Sequence, residues 1–189
     1  MRVIWREIGL CLLAAVCAPA GPPAFSLTDT AGGVHTSAEW LSKRAVVLLF
    51  LSTDCPLSNN YVPELNRINA AYASRGVALY AVQGDATVTA EQVRAHVKDF
   101  GYTFPYLFDA KESLASYTGA RSTPEAAVLS PTGDLLYLGR IDNRLEDYGK
   151  ARTTITEFDL RDALDAILAG RPVLHSRTRA LGCAIVPAQ

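Results

Sequence analysis

Cys55 and Cys183 are the residues of this chain best suited to chemistry, and Cys55 has the more telling setting. It follows the apolar run Ala45-Val46-Val47-Leu48-Leu49-Phe50-Leu51 and opens Cys55-Pro56-Leu57-Ser58, after which a helical pattern begins. A cysteine between a buried strand and the first turn of a helix meets unpaired backbone N–H groups and the positive end of the helix dipole. Both favour the thiolate, which is the nucleophile. A free cysteine is otherwise a small buried hydrophobe; the strand–Cys–Pro–helix order is what points to reactivity. Such chemistry needs the Cys55 sulfur open to solvent, with a groove beside it.

The elements that would position this residue can be read along the chain. Phe25–Asp29 and Val34–Thr36 flank Ala31-Gly32-Gly33 as a hairpin, and Ser37 is placed to cap a helical turn through Trp40-Leu41. Ala45–Leu51 and Val77–Val82 read as strands buried on both faces. Between them Leu57, Tyr61, Leu65, Ile68 and Tyr72 form one face of a helix, with a kink expected at Pro63. Thr89-Ala90-Glu91-Gln92 is a capping box for a helix through Phe100. A short strand Tyr106–Phe108 and a short helix Ser113–Tyr117 follow, then strands Ala126–Leu129 and Leu135–Ile141 joined by a turn. The polar stretch 143–156 reads as a mobile excursion, and Phe158–Ala169 as the last helix. Alternating units call for parallel pairing and the late hairpin for antiparallel pairing. The fold class is α/β, a mixed sheet with helices on both faces.

Length and composition are consistent with this. The 189 residues suffice for one domain with a substantial core, and 49% of them are apolar. A net charge of −1 gives no electrostatic reason to expect nucleic acid or a membrane surface as partner. Arg2 and Arg6, the apolar stretch Ile8–Ala18 and Ala18-Pro19-Ala20 have the layout of a secretory signal peptide over residues 1–20. Export to the periplasm or medium follows, with membrane attachment only through a lipid on Cys17. Cleavage removes Cys11 and Cys17, so the mature protein keeps Cys55 and Cys183. The reading divides the chain into the signal, a domain over 21–170 and a tail over 171–189.

The pattern resembles a thioredoxin-fold redoxin of the alkyl hydroperoxide reductase/thiol-specific antioxidant (AhpC/TSA) type. Cys55 stands at the position of that fold's attacking cysteine, and Pro63 is placed like the proline of its active-site helix. Thr123-Pro124 precedes a strand as the cis-proline of thioredoxins does. The opening hairpin is similar to that of exported redoxins. The resemblance implies a three-layer fold and a thiol-dependent oxidoreductase acting on disulfides or peroxides, with no cofactor. It implies that Thr123 and Pro124 face the thiolate and bind an extended substrate, with Ser52 and Ser58 beside them. Ser58 stands where thioredoxins have their second cysteine, and Leu48 where peroxiredoxins have a proline. A mixed disulfide or a sulfenic acid on Cys55 then needs a second thiol. Cys183 is the resolving candidate, and a free or intermolecular thiol is its alternative.

The implied partners are a thiol or disulfide protein, or a peroxide, together with a thiol reductant. A rival reading is a copper or metallocofactor assembly protein using Cys55, Cys183 and His175 or His35. Another is a redox-inactive binding domain. The three histidines, His35, His96 and His175, show no ligand-pair spacing. Asp54 and Arg121 are charges able to tune the Cys55 thiol in opposite directions.

Overall fold

The computed structural model describes residues 24–185, so the expected signal segment with Cys11 and Cys17 lies outside the described residues. In that span β1 (Ser26–Thr28) and β2 (Val34–Thr36) form the expected hairpin. A 3-10 turn, Ser37–Ser42, follows, but its cap is Thr36 and not Ser37. The Glu39 carboxylate turns back to accept the Thr36 N–H at 3.0 Å, which fixes the turn one residue earlier. It seats Trp40 fully inside the protein.

The chain then runs through β3 (Ala45–Phe50), α1 (Pro56–Tyr72), β4 (Val77–Gln83), α2 (Ala90–Phe100), β5 (Tyr106–Phe108) and α3 (Ser113–Thr118). It continues through β6 (Ser122–Thr123), β7 (Glu125–Leu129), β8 (Leu135–Gly139), β9 (Leu145–Asp147), β10 (Lys150–Ala151), α4 (Asp159–Leu168) and β11 (Cys183–Ala184). The main sheet has the order β5-β4-β3-β7-β8. β3 pairs parallel with β4 and antiparallel with β7, the mixed sheet expected.

Each residue of β3 is buried, and its alternation divides the core. Val47 and Leu49 pack with Tyr61, Leu65 and Ile68 of α1 and with Leu160 and Leu164 of α4. Val46, Leu48 and Phe50 pack on the other face with Trp40 and with Leu114 of α3. A fully buried aliphatic side chain contributes about 1.5–3 kcal/mol. This strand therefore anchors whatever leaves its C-terminal end, and that is the loop to Cys55.

α1 begins with Cys55 as its cap and Pro56 in its first turn, where a missing N–H costs nothing. The helix continues through Pro63 to Tyr72. A 3-10 turn, Ala73–Arg75, follows and is stopped by Gly76, whose φ of 86° is the left-handed region glycine tolerates. α2 carries the expected Thr89–Gln92 box.

One stretch differs from the sequence reading. Residues 143–156 are not a loose excursion but carry the β9–β10 hairpin. The buried Asn143 side chain donates to Thr156 Oγ at 2.8 Å and accepts the Thr156 N–H at 3.0 Å, which closes the base of the hairpin. The tail beyond 171 is bound to the domain. Leu138 donates to Ser176 O at 2.9 Å and accepts from the Thr178 N–H at 3.1 Å. At Gly139 a Cβ would collide with Thr178, so glycine allows this approach. The chain then ends in β11, which pairs antiparallel with β6.

Candidate active site

The loop between β3 and α1 is folded by local hydrogen bonds from backbone and side chains. The Cys55 N–H donates to Ser52 O at 3.2 Å and the Ser52 N–H to Ser58 Oγ at 3.3 Å. Asn59 Nδ2 donates to Thr53 O at 3.1 Å. These bonds turn the chain over the start of α1. Ser52 thus enters the site through its backbone, and Ser58, fully buried, through its hydroxyl.

Thr123-Pro124 faces Cys55 from the other side, and the peptide bond between them is cis, as the resemblance implies. The Glu125 carboxylate accepts the N–H groups of Arg121 (2.7 Å) and Ser122 (3.0 Å), holding this loop in shape. The Cys55 thiol donates to Thr123 O at 3.2 Å.

β11 lies against the same loop. Cys183 is opposite Thr123 and Ala184 opposite Ser122, and the Ile185 N–H donates to Arg121 O at 2.9 Å. A Cβ on Gly182 would overlap Thr123 O, so only glycine lets the strand come this close. The hydroxyl of Tyr148, at the tip of the β9–β10 hairpin, donates to Gly182 O at 2.9 Å. This arrangement brings the Cys183 sulfur within 2.8 Å of the Cys55 sulfur.

The two thiols are unequal. Burial pushes the Cys55 thiol up, but hydrogen bonds from the Cys183 thiol, from the Ser58 and Cys183 backbone N–H groups and from the Ser58 hydroxyl outweigh it. Its pKa lies below the ordinary thiol value. Cys183 donates to the Cys55 sulfur, is partly desolvated and lies beside that developing negative charge, and its pKa is pushed up to about 11. Cys55 therefore ionises first, and Cys183 keeps its proton and donates it to Cys55.

Cys55, Ser52, Ser58, Thr123, Pro124 and Cys183 converge. One expectation fails: Cys55 is only 1% exposed, because β11 fills the groove beside Thr123. Cys183 is the exposed sulfur, and it borders a cavity of about 420 Å³ shared with Ser52, Gln83, Asp85, Asp109 and Ile185. Neither Asp54 nor Arg121 is among the groups that shift Cys55. His35 sits between Asp29 and Glu39, and His175 borders a different cavity with Asp159 and Asp162. Among the described residues no three His, Cys, Asp or Glu converge as metal ligands.

Some supporting residues escaped the sequence reading. Tyr61 donates to buried Asp142 at 2.9 Å, and Arg144 pairs with Asp142 at 2.7 Å while lying over the Tyr61 ring. This ties the start of the β9–β10 hairpin to α1 close to the site. Gly182, directly before Cys183, was the one visible signal of a close backbone approach.

A nucleophile at a βα junction facing a cis-proline loop, in a three-layer mixed sheet, defines the thioredoxin-fold redoxins. Residues 20–138 match the AhpC/TSA family, and the chain belongs to it. It is 26% identical over 122 residues to the thiol-disulfide oxidoreductase ResA of Geobacillus kaustophilus, covering 64% of this chain and 68% of that protein. A crystal structure of a hypothetical protein from Sinorhizobium meliloti is 33% identical, with a TM-score of 0.77 over 92% of this chain and 96% of that one. A secreted Mycobacterium tuberculosis disulfide oxidoreductase shares the fold at 18% identity, with a TM-score of 0.55 over 78% of this chain and 96% of that one. The chain is thus distantly related to thiol–disulfide oxidoreductases.

Proposed function

We propose that the protein is an exported thiol–disulfide oxidoreductase whose redox pair is Cys55 and Cys183. The observation that carries this reading is the 2.8 Å separation of two sulfurs, one acidified and the other held protonated beside it. The Cys55 thiolate attacks one sulfur of a substrate disulfide, which joins to Cys55 while the other sulfur leaves as a thiolate and takes a proton. Cys183 then loses its proton and attacks the Cys55 sulfur of that mixed disulfide. The second substrate thiolate leaves as β11 returns Cys183 to its place beside Cys55, 2.8 Å away in the free thiols, and the Cys55–Cys183 bond forms at about 2.05 Å. Because β11 covers Cys55, a protein substrate reaches it only once that strand moves aside. A peroxide would use the same pair, through a Cys55 sulfenic acid cleared by Cys183 with loss of water.

The test is turnover of a disulfide-bonded protein substrate, and of hydrogen peroxide, with a thiol reductant. Cys55→Ser is expected to abolish exchange, and Cys183→Ser to stop at a mixed disulfide on Cys55. A Cys183→Ser protein that turns over at the unsubstituted rate contradicts the resolving role. Faster consumption of peroxide than of the disulfide would make the protein a peroxidase instead. Export rests on the layout of residues 1–20, and is checked by the mass of the protein recovered outside the cytoplasm, expected to begin at Gly21.

A further inference from the structure

The oxidised pair would present its two ends very differently, and this selects where electrons return. Cys55 is 1% exposed and capped by β11, whereas Cys183 opens onto the cavity of about 420 Å³ at the C-terminal ends of β3, β4 and β5. An extended protein chain cannot pair with β6 while β11 occupies that edge. A small molecule can enter the cavity with the strand in place. Among the described residues its charged side chains are Asp85, Asp109 and Glu112, with no lysine, arginine or histidine on the wall. Both Asp109 oxygens cap α3 through the Ser113 and Leu114 N–H groups, which fixes that carboxylate at the wall. Gln83, 2% exposed and also on the wall, has an amide nitrogen with no hydrogen-bond partner.

From this geometry we propose that the cavity takes a small thiol bearing an ammonium group, which reduces the oxidised protein by attacking the sulfur of Cys183. The proposal rests on the redox-pair reading above. The incoming thiolate bonds to Cys183 as the Cys183–Cys55 bond breaks, and Cys55 leaves as a thiolate. A second molecule of the same thiol attacks the sulfur of the first, releasing their symmetrical disulfide and the Cys183 thiolate, which takes a proton. Two small thiols are oxidised and two protein cysteines reduced. The more acidic thiol is the better leaving group, which favours the same direction of attack.

Oxidised full-length protein is mixed with cysteamine, 2-mercaptoethanol or mercaptoacetate at equal thiolate concentration, quenched in acid and peptide-mapped. Cysteamine is expected to reduce it about tenfold faster than mercaptoacetate, with the trapped adduct on Cys183. Asp85→Asn is expected to narrow that ratio. An adduct on Cys55, or equal or reversed rates, overturns the proposal while leaving the redox pair intact. Failure to form any Cys55–Cys183 disulfide overturns both.

Discussion

At the scale of single residues the proposed chemistry depends on one proton held between two sulfurs. Cys55 gains acceptor bonds from Ser58 and Cys183 when it ionises, and Cys183 would lose its role as donor if it ionised too. The pair should therefore titrate in two well-separated steps, a property of the pair and not of either residue alone. Thiolate absorbance against pH is expected to show the first step below the ordinary thiol value, and the second near the value of about 11 that Cys183 takes. Cys183→Ala should remove the upper step and move the lower one upward, because a donor to the Cys55 sulfur is gone. A lower step that stays in place would mean the helix start alone acidifies Cys55. Gly182 belongs at this scale as well. In Gly182→Ala the new methyl meets Thr123 O, and overpacking of that kind costs about 1–3 kcal/mol. β11 should lift, and iodoacetamide should label Cys55 several-fold faster under native conditions.

At the scale of elements the site is a meeting of four pieces: the end of β3, the start of α1, the cis-proline loop and β11. The first three were legible in the sequence. An unbroken apolar run announces a central strand, Cys-Pro a helix start, and Thr-Pro before a strand the facing loop. The strand β11 was not legible as a strand, because two residues carry too short a pattern for any periodicity to show. Its position is set by hydrogen bonds to distant backbone at Thr123 and Arg121 and by Tyr148. The β9–β10 hairpin was misread for a similar reason. Polar residues suggest mobility, yet Asp142 and Asn143 are buried with their partners met by Arg144, Tyr61 and Thr156. The opening hairpin carries its own pH dependence. Burial lowers the affinity of His35 for its proton, but bonds to Asp29 and Glu39 outweigh this and raise its pKa above the ordinary 6.5. Protonated His35 thus stabilises the fold below 6.5, and that stability is lost as pH rises through the raised folded value. Asp29 and Glu39, both lowered, contribute above their ordinary 3.8 and 4.5 and lose this as pH falls. Denaturant midpoints should fall from pH 6 to pH 8 in the unsubstituted protein, and less steeply in His35→Gln.

At the scale of the whole molecule, Cys55 and Cys183 are 128 positions apart, so a bond between them closes most of the domain into one loop. Loop-closure entropy for a ring of that length is worth about 4–5 kcal/mol against the unfolded chain. The oxidised protein should unfold at clearly higher denaturant than the reduced one, a difference absent from Cys183→Ser. The tail is then a working part of the domain, despite its place outside the residues that match the family. It carries the second sulfur, occupies the groove beside Thr123, and leaves a cavity at the Cys183 sulfur.

The most direct measurement is an equilibrium redox titration of the full-length protein in glutathione buffers, quenched in acid and read by peptide mapping. The account predicts a single two-electron transition between free thiols and a Cys55–Cys183 peptide, with little glutathione on either cysteine at any poise. Two cysteines that acquire glutathione independently, with no peptide joining them, would contradict it.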